Sequence, residues 1–157
     1  MSVPKSRRST SPCEYVIRAG EVDRLVGQLA IKLPKRWDGN RKDALLRTSD
    51  DILRESVSAN AIWAATDVER EARLRHLTEA YCACAVLQVR LDQIANERPV
   101  RRYDEPGNDG ETVHVERRCV SDSYLEIVCM EVDKEQALLK GAIKAERARP
   151  SHGTGLG

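Results

Sequence analysis

One apolar stripe restricts what this chain can fold into more than any other feature. Its members are spaced three, four, three, four and three residues apart, as in a helix packed into a bundle; they are Leu77, Ala80, Cys84, Leu87, Leu91 and Ile94. No Gly or Pro interrupts residues 66–96, so one helix of about 45 Å, at ~1.5 Å per residue, can cover them. A helix this long cannot bury its stripe alone, and it needs partners of similar length.

Three other segments have helical patterns that could supply those partners. The first covers residues 14–33 and ends before Pro34, because the residue before a proline is pushed out of helical geometry. The second covers 41–64, with Ser49, Ser56 and Ala59 on its apolar side, and the last runs from 121 or 122 to 149, with Gln136 where its apolar stripe would need an apolar residue. Thr66 and Glu69 form a capping box that starts the long helix. The sequence therefore predicts an all-α fold, an antiparallel up-down-up-down four-helix bundle.

The domain organisation follows from where these patterns stop. We predict a disordered basic arm over 1–12, a four-helix bundle over 13–149 and a disordered tail over 150–157. A long connection over 97–120 separates the third and fourth helices, and connections of this length are usually functional or disordered. Residues 98–103 and 113–115 could pair within it as a short hairpin.

Composition indicates which residues form the core and which cellular compartment suits the cysteines. The 157 residues include no Phe and only 4% aromatics, so the core must be built from Leu, Val, Ile and Ala. The five cysteines are odd in number and lack a framework spacing, which favours reduced thiols in a cytosol. The sequence contains no run of about 18 apolar residues, so we predict no membrane span. We therefore expect a cytoplasmic protein.

The charges nearly cancel, with 26 Lys and Arg against 25 Asp and Glu, but they are unevenly placed. In the predicted topology, the first and third connections share one end of the bundle. Ten basic residues would meet there, and we call them the basic pole: Lys32, Lys35, Arg36, Arg41, Lys42, Arg98, Arg101, Arg102, Arg117 and Arg118. Trp37 and Tyr103 lie among them, and cations with aromatics are typical of phosphate-backbone binding. The alternative is a set of solvated helix ends, which the acidic residues at the tip of the long connection favour.

The sequence offers no pattern for catalysis or for a metal. Cys82 and Cys84 project about 200° apart on a helix and cannot grip one ion together. A zinc site using His76, His114, Cys119 and a cysteine of the third helix has no recognised spacing. Helix four carries acidic residues four apart but no Glu-x-x-His motif, and no phosphate-binding glycine loop is present. We expect no enzyme activity, cofactor or metal.

The two tryptophans lie at opposite ends of the second helix. Each could close the core or anchor a subunit interface, where Trp is favoured. The pattern slightly favours Trp63 as a core residue.

Six segments carry a family resemblance: Leu33-Pro34-Lys35, Ile52-Leu53, Ser58-Ala59-Asn60, Leu77-x-x-Ala80, Leu87-x-x-Arg90-Leu91 and 138–144. Together they resemble the Avd family, the four-helix-bundle accessory proteins of diversity-generating retroelements. Proteins encoded in intervening sequences of 23S ribosomal RNA genes share this fold, but their Asn-Ile-Ala-Glu-Gly stretch is absent here. The resemblance implies a non-catalytic, ring-like homo-oligomer, typically a pentamer. It also implies binding to a reverse transcriptase and its template RNA, in support of mutagenic retrohoming.

Two other classes of function compete with this expectation. The first is an oligomeric four-helix-bundle scaffold that binds other proteins and no nucleic acid. The second is a small enzyme or metalloprotein, which the absence of a patterned site makes the weaker alternative.

Overall fold

The computed structural model describes residues 14–35, 37 and 39–150. These residues form four helices and a two-stranded hairpin: α1 (Glu14–Lys32), α2 (Gly39–Ala61), α3 (Asp67–Glu97), β1 (Val100–Pro106), β2 (Thr112–Arg118) and α4 (Asp122–Ala148). The mostly helical, four-helix architecture predicted from the sequence is confirmed. The predicted arm over 1–12, the tail beyond Pro150 and Arg36 of the basic pole lie outside the described residues.

The core lies between the four helices, with α1 packed on α2 and α4, and α3 packed on the same two neighbours. All six residues of the α3 stripe are buried, as their spacing predicts. Ser49, Ser56 and Ala59 of α2 are also fully buried, and their small side chains allow close helix approach. No described helix combines the length and the apolar character that a membrane span requires.

The predicted start of α3 is confirmed by its cap. The hydroxyl oxygen of Thr66 accepts the backbone N–H of Glu69 at 3.2 Å, and the same hydroxyl donates to the Glu69 carboxylate at 2.9 Å. Ser121 caps α4 in the same manner, accepting the N–H of Tyr124 at 3.1 Å. Each cap satisfies an N–H group that the first turn of a helix leaves without a partner.

The long connection between α3 and α4 contains the antiparallel hairpin β1–β2, with pairing from Val100 opposite Arg118 to Pro106 opposite Thr112. The backbone N–H of Cys119 donates to the carbonyl of Pro99 at 3.0 Å and closes the base. Glycines permit the turn: Gly110 has a φ of +75°, and a Cβ on Gly107 would lie 2.9 Å from the carbonyl oxygen of Glu111.

Two expectations about individual side chains are wrong. Trp63 is 83% exposed and does not belong to the core, because α2 ends at Ala61 and the chain turns away before the indole. On α4, the residue that interrupts the buried stripe is Glu135 and not Gln136. Glu135 lies three residues after Val132 and four before Leu139, which continues the three-and-four spacing of the inward face.

Candidate nucleic-acid interface

The C-terminal end of α1 is held by two cations of the basic pole. The ammonium of Lys42 donates to the carbonyl of Leu33 at 3.1 Å. The guanidinium of Arg101, on β1, donates to the carbonyls of Ile31 and Lys32 at 3.1 and 3.4 Å. Cations at this position satisfy carbonyls that the last helical turn leaves unpaired, and they complement the helix dipole. These contacts fix the start of α2 and the hairpin against the end of α1.

A groove of about 740 Å³ lies between the α1–α2 turn and the base of the hairpin. Its lining includes three cations, two aromatic rings and one carboxylate: Lys35, Arg101, Arg102, Trp37, Tyr103 and Glu97. The remaining described members of the basic pole do not line it. The structure therefore brings only part of the predicted set into one concave surface.

At one side of the groove, Trp37, Arg41 and Glu97 form a closed group. The guanidinium of Arg41 lies 4.5 Å from the centre of the Trp37 ring, within the range of cation–π attraction. Arg41 donates to the Glu97 carboxylate at 2.5 Å, and the indole N–H donates to its other oxygen at 3.1 Å. The hydrogen bond from Arg41, and then that from Trp37, lowers the pKa of Glu97 below its usual value. Glu97 is therefore a fixed negative charge in the groove.

At the other side of the groove, the hairpin presents a second aromatic with a cation. The guanidinium of Arg117 lies 5.7 Å from the centre of the Tyr103 ring, on the neighbouring strand. Directly opposite each other, Arg102 and Glu116 form an ion pair of 2.7 Å, with side chains 70% and 57% exposed. Exposed pairs of this kind contribute only about 0–1 kcal/mol, so Arg102 can exchange its partner at little cost.

The other described cations of the basic pole have structural contacts of their own. Lys32 lies 4.8 Å from the centre of the Tyr124 ring. Arg118 pairs with Asp122 at 2.7 Å, and this hydrogen bond lowers the pKa of the carboxyl at the start of α4. Arg98 follows α3 with a left-handed backbone, and its N–H donates to the carbonyl of Ile94 at 3.1 Å. These three contacts stabilise helix ends.

The sequence analysis did not identify three carboxylates with structural roles, one beside the groove and two buried between the helices. Glu97 is the last residue of α3, and its place beside a basic connection was the available signal. Glu135 and Glu146 are buried, and nothing in their residue type predicts that. Within the described ranges, no group of three or more His, Cys, Asp and Glu side chains could hold a metal ion.

Comparison of the chain with protein-family models, with curated proteins and with solved structures finds no match.

Proposed function

We propose that this protein is a non-catalytic RNA-binding accessory protein that works beside a reverse transcriptase, as its resemblance to the Avd family implies. The observation that carries the proposal is the groove between the α1–α2 turn and the hairpin. Lys35, Arg101 and Arg102 line it together with Trp37 and Tyr103. Cations interleaved with aromatic rings in a concave surface suit a flexible, negatively charged chain.

The near-neutral net charge is compatible with this role, because binding depends on the local field. Focused potentials in clefts concentrate ligands even on proteins with little net charge. The exposed Arg102–Glu116 pair is weak enough for a phosphate to compete for the guanidinium. The groove thus has cations available for phosphate contact.

The finer parts of the proposal come from the resemblance. They comprise an up-down-up-down bundle, a homo-oligomeric ring that is typically a pentamer, a cytoplasmic location and a role in mutagenic retrohoming with template RNA. The contacts of Lys42 with the end of α1 and of Arg41 with the end of α3 join both ends to the start of α2 and support the up-down order.

RNA binding measured against salt concentration tests the proposal. We expect affinity to fall steeply with salt, with a slope of about −0.7 per phosphate contact on single strands. The double variant Lys35→Ala with Arg102→Ala should weaken binding and flatten the slope. Neither residue donates to the α1 carbonyls, so the fold should persist. Arg54→Ala is the matched control, since Arg54 is an exposed arginine on α2 that does not line the groove. Absence of RNA binding at low salt would refute the proposal for the isolated protein.

A second candidate function is a protein-binding scaffold, and exposed apolar residues near the opposite end favour it. Trp63, within the α2–α3 connection, is 83% exposed, and Val68, in the first turn of α3, is 78% exposed. Large exposed aromatics are typical anchors of protein interfaces. Replacement of Trp63 by Ser should then lower the mass in solution or abolish partner binding. An unchanged assembly that still binds RNA would favour the first proposal.

A further inference from the structure

We infer that the groove binds single-stranded RNA by stacking bases on Trp37 and Tyr103, and that it discriminates against duplex RNA. This inference rests on the proposed function and adds to it the form of the ligand and the way it is held. Base stacking on aromatic rings requires unpaired bases, whereas duplex recognition relies on phosphates and 2′-hydroxyls around a convex helix.

The two rings are placed to receive bases. Both line the groove, whereas Arg41 and Arg117, the cations that lie over them, do not. Each cation covers one face of its ring, and the part of each ring that lines the groove is the part that a base can contact. The indole is held by its N–H bond to Glu97, and the groove is therefore organised before a ligand binds.

Tyr103 has no evident role in the core. It is half-buried on β1, it faces Val115 across the hairpin, and it is not among the residues packed against the hydrophobic core. Trp37, by contrast, does pack against the core. Tyr103 is thus the residue at which a binding role can be separated from a structural one.

The charges in the groove favour phosphates near its cations and bases near its aromatic rings. Glu97 is held ionised beside Trp37 by Arg41, so a phosphate at that point would meet a negative charge. Lys35, Arg101 and Arg102 are the lining groups that attract phosphates. A base on Trp37 with its backbone toward these cations satisfies both conditions. A rigid duplex cannot separate its bases from its phosphates in this way.

Tryptophan fluorescence provides a direct test, because the chain has only two tryptophans. In Trp63→Phe, Trp37 is the only reporter, and we expect its emission to be quenched by a single-stranded RNA of about 12 nucleotides. A duplex of the same length should quench weakly and bind less tightly. In the matched variant Trp37→Phe, only Trp63 reports, and its emission should not change.

Substitutions at Tyr103 test the stacking itself. Tyr103→Phe keeps the ring and should bind the single strand as the parent does, whereas Tyr103→Leu should bind it roughly 5- to 100-fold more weakly. Equal binding by Leu and Phe, or equal affinity for strand and duplex without quenching of Trp37, would overturn the inference and leave the proposed RNA binding intact. Loss of all RNA binding at low salt would instead overturn the proposed function, and the inference with it.

Discussion

The hydroxyl of Ser56 on α2 donates a hydrogen bond of 3.4 Å to Oε1 of Glu135 on α4, and both side chains are fully buried. Oε2 of Glu135 has no hydrogen-bond partner among the described residues. Burial raises the pKa of Glu135 to about 8, against the opposing effects of the Ser56 hydrogen bond and the charge of Arg18. Glu135 is therefore protonated in the folded protein at neutral pH.

This protonation makes stability depend on pH. The unfolded Glu135 has an ordinary pKa of 4.5, so between pH 4.5 and about 8 only the folded chain holds the proton. The free energy of unfolding then falls as pH rises through this window. Glu135→Gln mimics the protonated acid and should be more stable than the parent by up to about 3 kcal/mol at neutral pH.

Urea unfolding of both proteins near pH 4 and near pH 8 measures this difference. The difference in free energy of unfolding between Glu135→Gln and the parent should be almost absent at the acidic pH and largest at the alkaline pH. A constant gap between the two proteins across this range would show that Glu135 is not the group that titrates.

Glu131, one turn before Glu135, should contribute a pH dependence of stability with the opposite sign. Its carboxylate accepts a hydrogen bond of 2.6 Å from Arg18, and this bond is the main cause that lowers its pKa. The stabilising contribution is present above the unfolded pKa of 4.5 and is lost as pH falls through the folded value. Glu131→Gln should therefore cost about 1 kcal/mol at neutral pH and little in acid, by the same urea measurement. A greater loss in acid than at neutral pH would contradict this assignment.

The α3 stripe shows what the sequence could predict. Its six members are buried, and α3 begins after the Thr66 cap. Periodicity and caps are local properties of the chain, so they predict helices and their inward faces. The existence of the four helices, and the burial of Ser56 and Ala59, follow from such local patterns.

Contacts between distant segments could not be predicted from these local patterns. Arg101 reaches the carbonyls of α1 from a strand about seventy residues later, and Glu97 at the end of α3 pairs with Arg41 near the start of α2. Sequence reasoning counted each cation as available for a ligand, because charge alone does not show which carbonyl or carboxylate lies opposite. Glu135 was missed for a related reason, since a glutamate at an inward position has the same residue type as one in water.

Arg70, at the start of α3, binds the end of α4, and its replacement should lower the free energy of unfolding. It donates to the carbonyls of Pro150 and Arg149 at 2.8 and 2.7 Å, and it faces the buried carboxylate of Glu146. Arg70→Ala removes these hydrogen bonds and one of three arginines that pair with Glu146, since Arg73 and Arg149 remain, and it should reduce the free energy of unfolding by about 1–2 kcal/mol. Urea titration measures the change.

Arg54→Ala is the control for Arg70→Ala. Arg54 also makes two ion pairs, with Asp50 and Asp51, but its side chain is 65% exposed. Its replacement should leave the unfolding midpoint almost unchanged, because water replaces exposed partners. Equal effects of the two substitutions would contradict a structural role for Arg70.

Arg98 ends α3 in the left-handed region, with a φ of 48°, which is strained for a residue with a side chain. Glycine adopts this geometry without strain and is the usual residue at this position. Arg98→Gly should therefore raise the free energy of unfolding by about 0.5–1 kcal/mol. Arg98→Ala removes the same charge but keeps the Cβ, so it should give no such gain. Both variants should change RNA affinity equally if Arg98 acts only through its charge. Equal stability of the Gly and Ala variants in urea would show that the backbone strain at Arg98 is negligible.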